Sequence, residues 1–324
     1  MTDAVQSKSS SIRMKSSDLL ARSGLLIALL LLFVALALFA PNFLTSRNLL
    51  NVLRAVAFNG IIACGMTFMI IAGDIDVSVG SAVAWASALL GVLAIQQGWP
   101  LGLAVVFVLV QGALIHAGAG YIRVRWAVPA FVVTLALFMA LRGAARLITN
   151  AFPITPFPDS FNFWGGGYIF GIIPVPVVIM LAVFVLFHFI SVRTVYGRSV
   201  YAVGGNEESA RLSGISVKRT RIITFALVGI LSAFSGIILS SRIMSGSSNI
   251  AVGLEFDVIA AVIIGGTSLM GGEGTIFGTF LGVLFIGLLS NGMVLMGINP
   301  FAQEVIRGLI ILVAVLISVA RTKK

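Results

Sequence analysis

Long apolar runs separated by short polar gaps fill the chain from residue 24 onward. They lie at about 24–40, 58–73, 78–95, 100–119, 128–148, 172–190, 221–242, 255–269, 273–296 and 300–320. Each approaches the roughly 20 residues that carry a helix across a bilayer, and the period-two alternation of an outer-membrane barrel is missing. The pattern predicts an all-α, polytopic integral membrane protein with about ten transmembrane helices. Residues 42–57, with Arg47 and Arg54, read as an interfacial segment ahead of the second span. Glycine-rich interruptions predict short or broken helices around 73–80 and 265–274, and eight full spans with re-entrant pieces is the alternative count. Residues 1–23 are polar and Ser-rich and read as a flexible cytoplasmic tail rather than a cleaved signal, since the tail is long and the run to Ala40 ends at Pro41-Asn42 without a convincing small-x-small cleavage site. Residues 24–320 form a single transmembrane domain.

Composition sharpens this picture. Of 324 residues, 59% are hydrophobic and 10% charged, whereas soluble domains carry about 25% charged residues. The net charge of +10 does not imply nucleic acid, because the basic residues fall in the gaps between apolar runs, where they act as topology signals. With about ten spans both termini share one side with the gap near residue 122 and with 191–221. That side collects most of the 21 Lys and Arg, whereas 149–171 carries none, so both termini are expected in the cytoplasm.

The polar stretch Arg198 to Arg221 is the longest gap rich in charge. Asn206 is a good helix N-cap, Glu207 and Glu208 suit the positive end of a helix dipole, and Gly214 can take the left-handed conformation that ends a helix. A helix over about Glu207 to Ser213 follows. It is too short to be stable alone and makes sense as a handle for another protein, with Gly204, Gly205, Asn206, Glu207, Glu208, Arg211 and Gly214 as the coupling residues.

Catalytic chemistry is poorly supplied. Gly-Lys does not occur, so no phosphate-cradling loop of the P-loop kind is present, and His116, His188 and the single Cys64 are too scattered to form a metal site or catalytic set. Each reads as a packed or interfacial side chain. The turn Gly73-Asp-Ile-Asp-Val-Ser-Val-Gly80 is more informative, because a carboxylate at the centre of a bilayer helix costs about 2.5 to 3.5 kcal/mol on insertion scales. Asp74, Asp76 and Ser78 are therefore either caps of a tight re-entry or gating residues. A second helix-turn-helix runs from Glu255-Phe-Asp257 to Thr279, with Gly274, Gly278 and Gly282 spaced for close helix packing.

These residues resemble a family: the permease subunits of bacterial ATP-binding-cassette importers for monosaccharides, the ribose, xylose and arabinose group. The resemblance runs along nearly the whole chain after Pro41. It rests on Ala63-Cys-Gly-Met-Thr67, Gly73 to Gly80, Pro129 to Leu135 with Arg142-Gly143, Gly204-Gly-Asn206 through Gly214-Ile215, and Asp257-Val-Ile-Ala-Ala261 with Gly265-Gly266. Glu208-Ser-Ala-Arg-Leu-Ser-Gly214 keeps the Glu-x-Ala-x-x-x-Gly spacing of the importer loop that contacts the ATPase, with Ser209 where Ala is commoner. Gly-Asp-x-Asp at Gly73 to Asp76, Asn206-Glu-Glu, Ser241 to Gly246, and Asn299 to Gln303 with Arg307-Gly308 look most like the L-arabinose permeases, with ribose, xylose or another sugar as alternatives. The resemblance implies a multi-pass protein of the bacterial inner membrane. It also implies a permease homodimer, a cytoplasmic ATPase subunit that binds the ATP and Mg, a periplasmic sugar-binding protein, and no cofactor in this chain. Asn59, Thr67, Thr134, Asn291 and Gln303 are the polar span residues available to line a sugar path. The rival classes are an ion-coupled secondary transporter, for which Arg142 and Arg146 are the main charges away from the turns, and a membrane-embedded enzyme, for which a catalytic set is missing.

Overall fold

A computed structural model describes residues 16–322, with side chains from 24 to 316. Its helices are α1 (Ser16–Phe39), α2 (Ser46–Ile71), α3 (Val79–Gly91, prolonged by a π turn Val92–Gln96), α4 (Leu101–Arg125) and α5 (Ala130–Thr149). There follow α6 (Asn162–Gly166), a two-stranded hairpin β1 (Tyr168–Ile169) and β2 (Ile173–Pro174), then α7 (Val175–Arg193), α8 (Val195–Gly205) and α9 (Glu207–Leu212). The chain ends in α10 (Val217–Ile243), α11 (Leu254–Ile264), α12 (Ile276–Leu295) and α13 (Pro300–Thr322). Seven of the described helices, α2, α3 with its π turn, α4, α5, α7, α10 and α12, are long and apolar enough to cross a membrane. The protein is an all-α, polytopic membrane protein.

Apolar side chains fill the interior as in a soluble domain and also cover much of the outer surface. In α2, 89% of the most apolar window is buried by other helices, against 22% in α4. Thus α2 is the central post and α4 presents most of its apolar side chains outward. A run apolar on all sides suits either position, and small residues decide which. Gly60 and Gly65 leave room on α2 for Met180 of α7 and for Val228 and Leu231 of α10. Gly112 of α4 and Gly229 of α10 meet backbone to backbone, and that crossing is the most extensive among the described helices.

Helix ends fall into two groups. At one face, Gly272 donates to the Ile71 carbonyl at 2.8 Å, and Asp74 meets Arg123 at the end of α4 and Arg221 at the start of α10. At the other, Asn48 and Asn291 exchange side-chain hydrogen bonds at 3.1 and 2.9 Å, and Ile154 bridges Gly246.

Four expectations are corrected. Residues 42–57 are not a separate interfacial segment: from Ser46 they belong to α2, whose N-cap Thr45 accepts from Asn48 N–H. Arg54 is buried with its guanidinium 4.9 Å from the Tyr168 ring, whereas Arg47 is exposed. Residues 16–23 of the expected tail begin α1, while residues 1–15 lie outside the described residues. The loop 191–221 holds α8 as well as the expected short helix. The run at 255–269 ends at Ile264, so the crossing after α10 is built from an irregular stretch, residues 244–253, and the 11-residue α11.

Candidate functional site

The exposed end of the site is α9, and its sequence explains its position. Asn206 stands between α8 and α9 with φ −159° and ψ 109°, and its side-chain oxygen accepts from Ser209 N–H at 2.8 Å. Gly214, at φ +82°, turns the chain back, and Ile215 N–H reaches the Ala210 carbonyl at 3.0 Å. Ala210 packs in a small apolar cluster with Val203 of α8 and Val217 of α10, so the helix is seated on both neighbours. Gly204 touches the Ile71 carbonyl where a Cβ would have no room, which makes it a packing residue at the end of α2, whereas Gly205 faces open space. Outward stand Leu212, 78% exposed, and the pair Glu208–Arg211 at 2.6 Å. The Arg211 hydrogen bond, more than its charge, holds the Glu208 carboxyl below the usual glutamate range.

Glu207 points the other way. Its carboxylate accepts from Arg221 Nη2 at 2.8 Å, and Nε of the same buried guanidinium lies 3.4 Å from Asp74 Oδ2. Asp74 Oδ1 in turn accepts from Arg123 Nε at 3.0 Å. Two carboxylates and two arginines thus form a neutral chain from the exposed helix into the bundle. Buried charges of this kind persist only when paired and hydrogen-bonded.

Two residues beyond Asp74, the side chains of Asp76 and Ser78 are fully buried. Asp76 Oδ1 accepts from Ser78 N–H at 2.7 Å and from Ser78 Oγ at 2.6 Å, just ahead of α3. Ser78 occupies the N-cap position of α3, yet makes no side-chain cap bond. His116 is not an interfacial histidine: it is buried within α4, with Nδ1 3.1 Å from the Gly112 carbonyl and Nε2 3.5 Å from Asp76 Oδ2. His188 is exposed on α7, and Cys64 is buried on α2 with its thiol free.

A further polar centre supports the broken crossing. Residues 248–251 have no helical partners for their carbonyls, and Arg142 supplies donors: Nη1 reaches the carbonyls of Ser248 at 3.2 Å and Ile250 at 2.7 Å, and Nη2 that of Ala251 at 3.3 Å. Glu255, also buried, lies against Gly80 at the start of α3. An arginine within an apolar run was the available signal for this centre, but its partners lie more than 100 residues away along the chain. Arg307 on α13 pairs with Asp257 of α11 at 3.6 Å.

The polar span residues are not gathered at one place. Thr67 bridges α2 to Thr279 of α12 at 2.7 Å, and Thr134 donates to the Ile75 carbonyl and accepts from Val77 N–H, fastening the acidic turn to α5. Asn291 pairs with Asn48, Gln303 donates to the Ile298 carbonyl at 2.8 Å, and Asn59 is half-buried on α2. Among the described residues there is no cluster of three or more His, Cys, Asp or Glu side chains that could hold a metal ion.

Residues 48–315 match the family described as branched-chain amino acid transport system, permease component. The chain is 48% identical over 288 residues to the probable ABC transporter permease protein YphD of Escherichia coli, covering 89% of this chain and 86% of that protein. It is 41% identical to the ribose import permease protein RbsC of Bacillus subtilis, covering 87% of this chain and 88% of that one. Identity to the L-arabinose transport system permease protein AraH of Escherichia coli is 39%, over 86% and 85% of the two chains. No solved structure matches.

Proposed function

The chain belongs to the family of permease components that its sequence matches, the non-catalytic membrane part of an ABC transporter, and from that premise we propose that it carries a monosaccharide inward across the bacterial inner membrane. The substrate class is a pentose of the ribose and L-arabinose kind. The Gly-Asp-x-Asp turn favours L-arabinose, whereas overall identity is higher to the ribose permease, 41%, than to the L-arabinose permease, 39%. The chain itself performs alternating access between two packings of the bundle. A separate ATPase subunit binds the ATP and Mg, a periplasmic binding protein delivers the sugar, and two copies of the permease form the membrane unit. Residues 191–221 and both termini face the cytoplasm.

The observation that carries this reading is α9. A six-residue helix, capped at Asn206 and closed by Gly214, is fixed to α8 and α10 while its charged outer face is left for a partner. That is the arrangement required to pass a force from a soluble motor to a membrane bundle. The test is uptake of a panel of labelled sugars into proteoliposomes holding the permease, its ATPase and its binding protein. Pentose uptake that needs all three components and ATP is expected. Uptake by the permease alone, driven by an ion gradient, would instead make it a secondary carrier.

A further inference from the structure

We propose that Arg221 is the positioning residue through which α9 acts on the buried acidic turn, so that motion of the docked helix reaches the entry of α3 by way of Glu207, Arg221 and Asp74. The proposal rests on the reading of α9 as the ATPase handle and identifies how that handle is joined to the bundle.

The guanidinium of Arg221 is planar and always charged, and here it serves two carboxylates from different elements. Nη2 is hydrogen-bonded to Glu207 on α9, and Nε faces Asp74 in the turn after α2. Since the donors are fixed in one rigid fork, the group cannot follow Glu207 without changing its separation from Asp74. The two contacts differ in kind. The Glu207 contact is a hydrogen bond at 2.8 Å on a residue that is 55% exposed. The Asp74 contact, at 3.4 Å, is electrostatic only: among the described residues neither Asp74 Oδ2 nor Arg221 Nε has a hydrogen-bond partner. This buried, loosely closed joint has a tighter state available to it. When Glu207 is drawn away, Arg221 is free to close on Asp74.

Asp74 is well placed to pass that change on. Its other oxygen is held by Arg123 of α4, and the chain runs from it through Ile75 to Asp76, which grips Ser78 at the start of α3 and faces His116 of the same α4. Thr134 holds the Ile75 carbonyl and the Val77 N–H, so residues 74–78 move as a short strut rather than as separate side chains. In a low-dielectric interior, a shift in one member of such a charge chain is felt by the others.

The experiment uses the full complex in nanodiscs and reads the ratio of ATP hydrolysis with and without sugar-loaded binding protein. Glu207→Gln, a surface change that removes one carboxylate charge, is expected to lower this ratio at least about five-fold, the lower end of ordinary coupling between sites. Asp74→Asn and Arg221→Lys lower it in the same way, the latter because one ammonium cannot serve both carboxylates. Links in series make losses non-additive, so the double variant Glu207→Gln with Asp74→Asn is no worse than the poorer single one. A wild-type ratio in Glu207→Gln, or losses that multiply in the double variant, would overturn the proposal. Loss of ATPase copurification in Glu207→Gln also overturns it, by making Glu207 a docking contact. An unstimulated wild-type complex would overturn the importer reading itself.

Discussion

Arg142 shows how one side chain can hold an irregular crossing in a membrane. Three carbonyls freed by the break between α10 and α11 would each be costly if left without a donor away from water. The guanidinium meets all three from α5, and Glu255 is near enough to feel its charge. Arg142→Ala is therefore expected to destabilise the purified permease by about 1 to 3 kcal/mol for each carbonyl left buried without a donor. Arg142→Lys should recover part of the loss, since an ammonium retains the charge but not the fork. Thermal unfolding in detergent checks both, and an unchanged midpoint in Arg142→Ala would show that water or lipid replaces it. Asp76 obeys the same logic on a smaller scale. Asp76→Ala strips the acceptor from a buried Ser78 N–H and should cost about 1 to 3 kcal/mol, read in the same assay.

At the scale of the element, α9 is too short to exist without its caps and its seat. Gly214 has φ +82°, and a β-branched residue tolerates that region poorly, although nothing crowds its Cβ position. Gly214→Val is expected to re-aim the helix while leaving every crossing intact. The variant should insert at normal abundance, yet lose ATPase copurification or stimulation by sugar-loaded binding protein. The Glu208–Arg211 pair belongs to the outer face, with 63% and 67% of the side chains exposed. Its value lies in orientation and partner choice more than in stability. Arg211→Glu should weaken ATPase association most at low salt, and an effect independent of salt would argue against a charge contact there. The Glu208 carboxyl sits below its ordinary range, so whatever the pair contributes is present above the ordinary carboxylate pKa and is lost as the pH falls through the lowered value. Near neutrality, docking is accordingly expected to be insensitive to pH, which a binding titration would reveal.

For the whole molecule, alternation of helix ends sorts the chain into two faces, one joining Ile71, Asp74, Arg123, Gly204 and Arg221, the other joining Asn48, Ile154, Gly246 and Asn291. The distribution of Lys and Arg supports the proposed placing of the first in the cytoplasm. A cysteine label placed at Gly214 and a tag after Lys324 should then be reached from the cytoplasm, and a label at Asp159 from the periplasm. Labelling of Asp159 and Gly214 from the same side would overturn the assignment of faces.

Class, span pattern and the short capped helix α9 were legible in the sequence because each depends on local quantities. Run length and apolarity decide whether a helix can cross a bilayer, and Asn206 and Gly214 act within one turn of the helix they bound. Other features were not legible because the same residues suit more than one environment. Arg47 and Arg54 suggested an interface, yet Arg54 lies inside the bundle against Tyr168. Val195–Gly205 read as loop but is a helix seated against its neighbours, and His116 became informative only once α4 lay beside the turn that carries Asp76. Tertiary structure alone decided which charges meet. Arg142 and the Ile250 carbonyl are 108 residues apart, and no periodicity relates Glu207 and Asp74 to the arginine between them. Such pairs are selected by helix packing, which brings together positions that local sequence rules treat as independent.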